Sequence, residues 1–132
     1  MKTNTIELYI HIPFCKSKCR YCDFCSFRAE EETIHAYLGK LKEELIFWGK
    51  KLAARDVVTV FIGGGTPSYL RREDIQMICE TIFEHFHICE DAEITIEANP
   101  GTVDLKKLCT YRENGINRIC LLYTSDAADD LI

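Results

Sequence analysis

Cys15, Cys19, Cys22 and Cys25 crowd one short stretch of a chain that carries eight cysteines in 132 residues. Cys15-Lys-Ser-Lys-Cys19-Arg-Tyr-Cys22 spaces three thiols as C-x3-C-x2-C. Three thiolates that close, on one loop, can hold three corners of a single [4Fe–4S] cube, a cluster more commonly held by four cysteines. One iron is then left open for a small molecule. Zinc is the competing reading, because Cys25 supplies a fourth thiolate that closes a tetrahedral shell. Zinc loops usually pair their cysteines across a longer gap, so four ligands here would be cramped. Spacing alone leaves cluster, zinc and inert thiols open. Cys79, Cys89, Cys109 and Cys120 are scattered.

Two further sets of residues bear on ligand binding. Gly63-Gly-Gly-Thr-Pro67 lets a ligand approach the backbone closely. No Gly-Lys-Ser/Thr follows and G-x-G-x-x-G does not fit, so neither common nucleotide fingerprint applies. Taken alone, the run is equally a flexible turn. Glu97 precedes Ala98-Asn-Pro100 at the end of an apolar alternation. An acid there can bind ribose hydroxyls, and by itself it reads as a solvated strand-end carboxylate. His11 lies on the first strand, where a core histidine is the favoured reading and a barrel-interior role the alternative.

The elements that must position these residues follow from periodicity. Ile6–Ile12 alternates and is rich in β-branched and aromatic residues, which predicts a strand. A cysteine-rich loop follows Pro13 and runs to about Arg28. Ile34, Leu38, Leu41, Leu45, Trp48 and Leu52 recur at helical spacing and predict a helix from Glu30 to about Ala54. Val57–Ile62 is nearly continuously apolar, as in a parallel strand covered on both faces. A second helix is expected from Arg72 to Phe86, with Ile75, Ile78, Ile82, Phe83 and Phe86 on its stripe. A third strand covers Glu93–Glu97, a short helix Val103–Arg112, and a fourth strand opens at Ile116, after Gly115 in a helix-ending position. The order β-α-β-α-β-α-β predicts an α/β fold with a parallel sheet. In barrels and open sheets alike, functional residues gather beyond the carboxyl ends of such strands. The loops at 13–28, 63–69 and 98–102 all fall there, so a shared site is expected.

Composition narrows the partners. Apolar residues at 47% suffice for one packed domain. A net charge of -5 argues against a nucleic-acid face. No apolar run is long enough to span a membrane, and the start of the chain is unlike a signal peptide. A cytoplasmic location with reduced thiols is the expectation, and reduced, clustered cysteines favour metal binding. Residues 120–129, Cys-Leu-Leu-Tyr-Thr-Ser-Asp-Ala-Ala-Asp, match the in-frame translation of a transposase-type sequencing adapter. Residues 1–119 are therefore expected to be the natural part and 120–132 a non-native tail, which would cut the fold in its fourth strand.

Together the motifs resemble the radical S-adenosylmethionine superfamily, in the branch of oxygen-independent coproporphyrinogen III oxidases and heme chaperones. The matching strings are Tyr9-Ile-His-Ile-Pro-Phe-Cys15, Cys19-Arg-Tyr-Cys22-Asp-Phe24, Ser26, Phe61-Ile-Gly-Gly-Gly-Thr-Pro-Ser68, Ile96-Glu-Ala-Asn-Pro-Gly101 and Gly115-Ile-Asn-Arg-Ile119. Their number and order reduce the zinc-stabilised binding module to a minor alternative. The resemblance implies the N-terminal part of a partial, TIM-like (β/α)6 barrel. It implies a [4Fe–4S] cluster on Cys15, Cys19 and Cys22, with S-adenosylmethionine chelated at the open iron. One electron would then cleave the sulfonium C–S bond to give methionine and a 5′-deoxyadenosyl radical. By the same resemblance Tyr9, Tyr21, Gly64, Gly65, Thr66 and Glu97 contact S-adenosylmethionine. Oxidases of this branch carry a further cysteine at the position of Phe24. Cys22-Asp-Phe-Cys-Ser26 is instead similar to the chaperone pattern, which leaves Cys25 outside the ligand set. The resemblance then implies heme as cargo, an electron donor and a hemoprotein recipient; the alternative is oxidative decarboxylation of coproporphyrinogen III. Residues 1–119 hold about half of the family's barrel and are expected to be inactive alone.

Overall fold

A computed structural model describes residues 4–15 and 30–122. Seven regular elements alternate along them. They are β1 (Thr5–Ile12), α1 (Glu31–Lys51), β2 (Asp56–Gly64), α2 (Arg72–His85), β3 (His87–Ala98), α3 (Leu105–Glu113) and β4 (Arg118–Leu121). The strands form one parallel sheet in the order β1-β2-β3-β4. The predicted α/β alternation is present, and the two longer helices start and stop within a few residues of their expected bounds.

One face of the sheet carries the core. Ile10 and Ile12 of β1, Val57, Val60 and Ile62 of β2, and Ile94 and Ile96 of β3 are buried with Leu38 and Leu45 of α1 and Ile75, Ile78 and Ile82 of α2. Tyr111 of α3 and Ile116 complete the cluster. Removing this apolar surface from water is the main stabilising term, roughly 25 cal/mol per Å². The helices pack on one another in sequence, α1 on α2 and α2 on α3.

Several expectations need correction. Gly63 and Gly64 belong to β2, where they pair with His11 and Ile12. A glycine keeps its ladder hydrogen bonds, so the triple glycine lengthens the strand before the chain turns. Trp48 is half-exposed rather than buried on the α1 stripe, and packs edge-on against Phe47 at 5.3 Å. It lies at the rim of α1 beside Leu8 of β1, and among the described residues no further strand covers it. Phe83 is likewise half-exposed. Strand β3 starts earlier than expected because it accommodates a register shift. Val57 pairs with Ile88 and Thr59 with Glu93, so the acidic stretch between is bulged out. Helix α3 starts at Leu105 because Asp104 caps it, accepting from the Lys107 N–H at 2.8 Å. Strand β4 runs past Ile119: Cys120 and Leu121 pair with Glu97 and Ala98.

Candidate functional site

Among the described residues no helix packs on the second face of the sheet, and its side chains follow from the period of two along each strand. On β1 these are Glu7, Tyr9 and His11, which alternate with the core-facing Leu8, Ile10 and Ile12. Register places Tyr9 beside Phe61, Phe61 beside Thr95, and Thr95 beside Arg118. The next row joins His11 to Gly63, and Glu97 to Cys120. Tyr9 stacks on Phe61 with ring centroids 6.1 Å apart. Its hydroxyl lies 3.2 Å from His11 Nδ1. His11 is therefore a residue of this second face and not of the helix-covered core, contrary to the favoured reading from sequence. Strand alternation sends it to the side opposite Ile10 and Ile12.

The carboxyl ends of β1, β2 and β3 meet at one edge of that face. The Gly65 N–H donates to the Ile12 carbonyl at 2.7 Å and the Thr66 N–H to the Phe14 carbonyl at 2.7 Å. The β1–β2 ladder thus continues past both strands and brings the start of the cysteine loop against the glycine run. Gly64 adopts φ +122°, a conformation that side chains rarely tolerate. A Cβ on Gly64 would lie 2.8 Å from both His11 Nδ1 and the Ile12 carbonyl oxygen. One on Gly65 would lie 2.7 Å from the Phe14 carbonyl oxygen. These glycines are required by close backbone approach, which decides against a merely flexible turn.

Glu97 is not a freely solvated carboxylate: its Oε1 accepts from the Gly64 N–H at 2.9 Å. A Cβ on Gly63 would meet the same oxygen at 2.8 Å. Cys15 is buried and unpaired by disulfide, and the Thr66 hydroxyl donates to its sulfur at 3.5 Å. Of the residues expected to bind the cluster or S-adenosylmethionine, the structure gathers Cys15, Gly64, Gly65, Thr66 and Glu97 at this edge, with Tyr9 linked to them through His11. Cys19, Tyr21, Cys22 and Cys25 lie outside the described residues.

Sequence reasoning missed the bracing of this edge. Phe14 is buried and meets Tyr37 edge-on at 5.2 Å, while the Tyr37 hydroxyl donates to the His11 carbonyl. Burial first, then the charge of Glu44, raises the Tyr37 phenol above its ordinary pKa, which keeps it a donor. The β2 and β3 loops are tied by Ser68, whose Oγ accepts from the Asn99 N–H at 2.9 Å. Lys107 donates to the Ser68 carbonyl at 2.6 Å and the Thr102 carbonyl at 2.9 Å. Desolvation lowers the pKa of its ammonium. Ser68 and Asn99 lie within the quoted strings, but nothing in their spacing marks them as partners.

The donor set fits an iron–sulfur cluster with a small ligand: a reduced thiol, a hydroxyl aimed at its sulfur, and a side-chain-free backbone cradle beside a fixed carboxylate. The profile of the Radical SAM superfamily matches residues 9–122. The heme chaperone HemW of Escherichia coli is 41% identical over 122 residues, covering 92% of this chain and 32% of that protein. The heme chaperone HemW of Bacillus subtilis is 38% identical over 112 residues, covering 84% and 30%. Among solved structures, coproporphyrinogen III oxidase (HemN) from Escherichia coli, a radical SAM enzyme, superposes with a TM-score of 0.84 at 32% identity. That match covers 90% of this chain and 28% of the oxidase. The chain thus spans about a third of the length of the curated relatives it matches. With its fold, its glycine cradle and these relatives taken together, the chain belongs to the radical S-adenosylmethionine superfamily.

Proposed function

We propose that the chain is the cluster- and S-adenosylmethionine-binding part of a heme chaperone. The observation that carries this reading is the convergence of Cys15, Thr66, Gly64 and Glu97 at one sheet edge. Cys15, with Cys19 and Cys22, would hold a [4Fe–4S] cluster. When bound, the cluster supplies the electron that cleaves the sulfonium C–S bond of S-adenosylmethionine. The protein's own part is positioning. The carboxylate of Glu97 keeps one oxygen on the Gly64 N–H and has the second for a ligand donor, either an ammonium or ribose hydroxyls. Gly64 and Gly65 allow the ligand to lie on the backbone. Tyr9 offers ring surface at the rim, and by the family resemblance Tyr21 would pack near the adenine. A core of apolar strands beneath the site limits water on that side.

Heme as cargo, and a hemoprotein as recipient, rest on the HemW relatives, 36–42% identical over most of this chain, and on Cys22-Asp-Phe-Cys-Ser26. The structural match to coproporphyrinogen III oxidase favours a second reading, oxidative decarboxylation of a porphyrinogen. Anaerobic iron–sulfide reconstitution of a full-length version of the protein, followed by a heme titration and a coproporphyrinogen III turnover assay, separates the two. Stoichiometric heme uptake without turnover supports the chaperone. Turnover with release of carbon dioxide supports the oxidase. A colourless protein holding a single zinc ion removes both. Residues 120–132 are proposed to be a non-native tail; independent resequencing that returns the same residues overturns that assignment.

A further inference from the structure

We propose that Thr66 is a positioning residue for the metal cluster, its hydroxyl making the cluster easier to reduce by hydrogen bonding to the Cys15 sulfur. The inference rests on the reading of Cys15 as a cluster ligand and deepens it. Thr66 Oγ1 lies 3.5 Å from Cys15 Sγ, with oxygen the donor. Cys15 is only 7% exposed, so few water molecules compete for its sulfur.

The contact is built by the backbone. The Thr66 N–H is fixed on the Phe14 carbonyl at 2.7 Å, one residue before the cysteine. Gly65 closes on that same carbonyl at a distance no Cβ would permit. Phe14 is held from the other side by the Tyr37 ring. Pro67 follows immediately and opens the 3-10 turn Pro67–Tyr69, where it is buried. Thr66 is therefore held between two constrained neighbours, with its hydroxyl delivered to the sulfur.

Such a hydrogen bond withdraws charge from a thiolate ligand. It stabilises the reduced cluster, which carries one more negative charge, over the oxidised one, and so raises the reduction potential. No atom is transferred: one electron enters from an external low-potential donor, and the threonine proton remains on its oxygen.

The test is an electron-paramagnetic-resonance-monitored redox titration of the reconstituted chain, with dithionite as reductant and no S-adenosylmethionine present. Omitting that ligand separates this role from any contact Thr66 makes with it. Thr66→Val and Thr66→Ala are expected to retain their iron and to titrate at a more negative potential. Thr66→Ser is expected to return the potential to that of the unmodified chain. Unchanged midpoints in whichever of the Val and Ala variants keeps its iron, or a Ser variant that behaves like Ala, overturn the inference while leaving the cluster reading intact. Failure of the unmodified chain to form any [4Fe–4S] signal overturns the ligand reading and this inference with it.

Discussion

The Glu97 carboxylate is tethered to the backbone of Gly64, its Oε1 accepting the N–H at 2.9 Å across the β2–β3 boundary. The bond fixes an acid at the open face without consuming its charge. Glu97→Gln keeps an acceptor for Gly64 and loses the charge. Stability in urea should change by less than about 0.5 kcal/mol. Calorimetry should show S-adenosylmethionine binding weakened by roughly tenfold or more, about 1.4 kcal/mol. Equal affinity would mean that the carboxylate does not face the ligand.

Gly64 cannot be replaced as readily. Its φ of +122° and the Ile12 carbonyl oxygen 2.8 Å from an added Cβ place strain and steric clash at one position. Gly64→Ala should lower stability by about 1–3 kcal/mol in urea unfolding. Gly39, where an added Cβ meets nothing, is the control and should gain or stay level when made Ala.

The proposed ligand set separates Cys19 from Cys25. Cys19→Ala should abolish the broad absorption near 400 nm and the iron content after anaerobic reconstitution. Cys25→Ala should retain both. Loss of iron in the Cys25 variant would show that four sulfurs close the shell and that the open-iron assignment is wrong.

The core predicts an alkaline limit. Burial raises the Tyr111 phenol to about 12, with Asp104 and Cys79 adding to the effect. Burial likewise raises the Cys79 thiol to about 12, followed by the charge of Glu80. Both groups ionise more easily in the unfolded chain, at roughly 10 and 8.5. Their contribution is fully present below those values and is lost as pH climbs towards about 12. Among the described residues the Tyr111 hydroxyl is buried with no hydrogen-bond partner. Tyr111→Phe should therefore hold or raise stability at pH 7 by up to about 1 kcal/mol and flatten its decline above pH 10, as read by thermal unfolding across pH.

The strand–helix alternation was legible in the sequence because apolar period separates these elements cleanly. Ile75, Ile78 and Ile82 at helical spacing are buried with Val57, Val60 and Ile62 of the apolar run, while Phe61 of that run is only partly buried beside Tyr9, so cover on both faces of β2 is not seen among the described residues. Three features escaped because tertiary pairing decides them. The extent of β2 through Gly64 depends on its partners His11 and Ile12. The face occupied by His11 depends on strand alternation against the core. The early start of β3 depends on a register shift that carries an acidic bulge. At the site, Gly64, Gly65, Thr66 and Glu97 were visible as strings. The hydrogen bonds from Gly64 to Glu97 and from Thr66 to Cys15 were not, because each joins residues far apart in the chain.

In the proposed site three sulfurs hold the cluster and leave one iron for S-adenosylmethionine. Electron paramagnetic resonance of the reduced, reconstituted chain, with and without S-adenosylmethionine, decides whether that iron is open. A [4Fe–4S] signal whose g-values shift on adding S-adenosylmethionine is expected. A signal indifferent to that addition, from a cluster already capped by a fourth side chain, would contradict it.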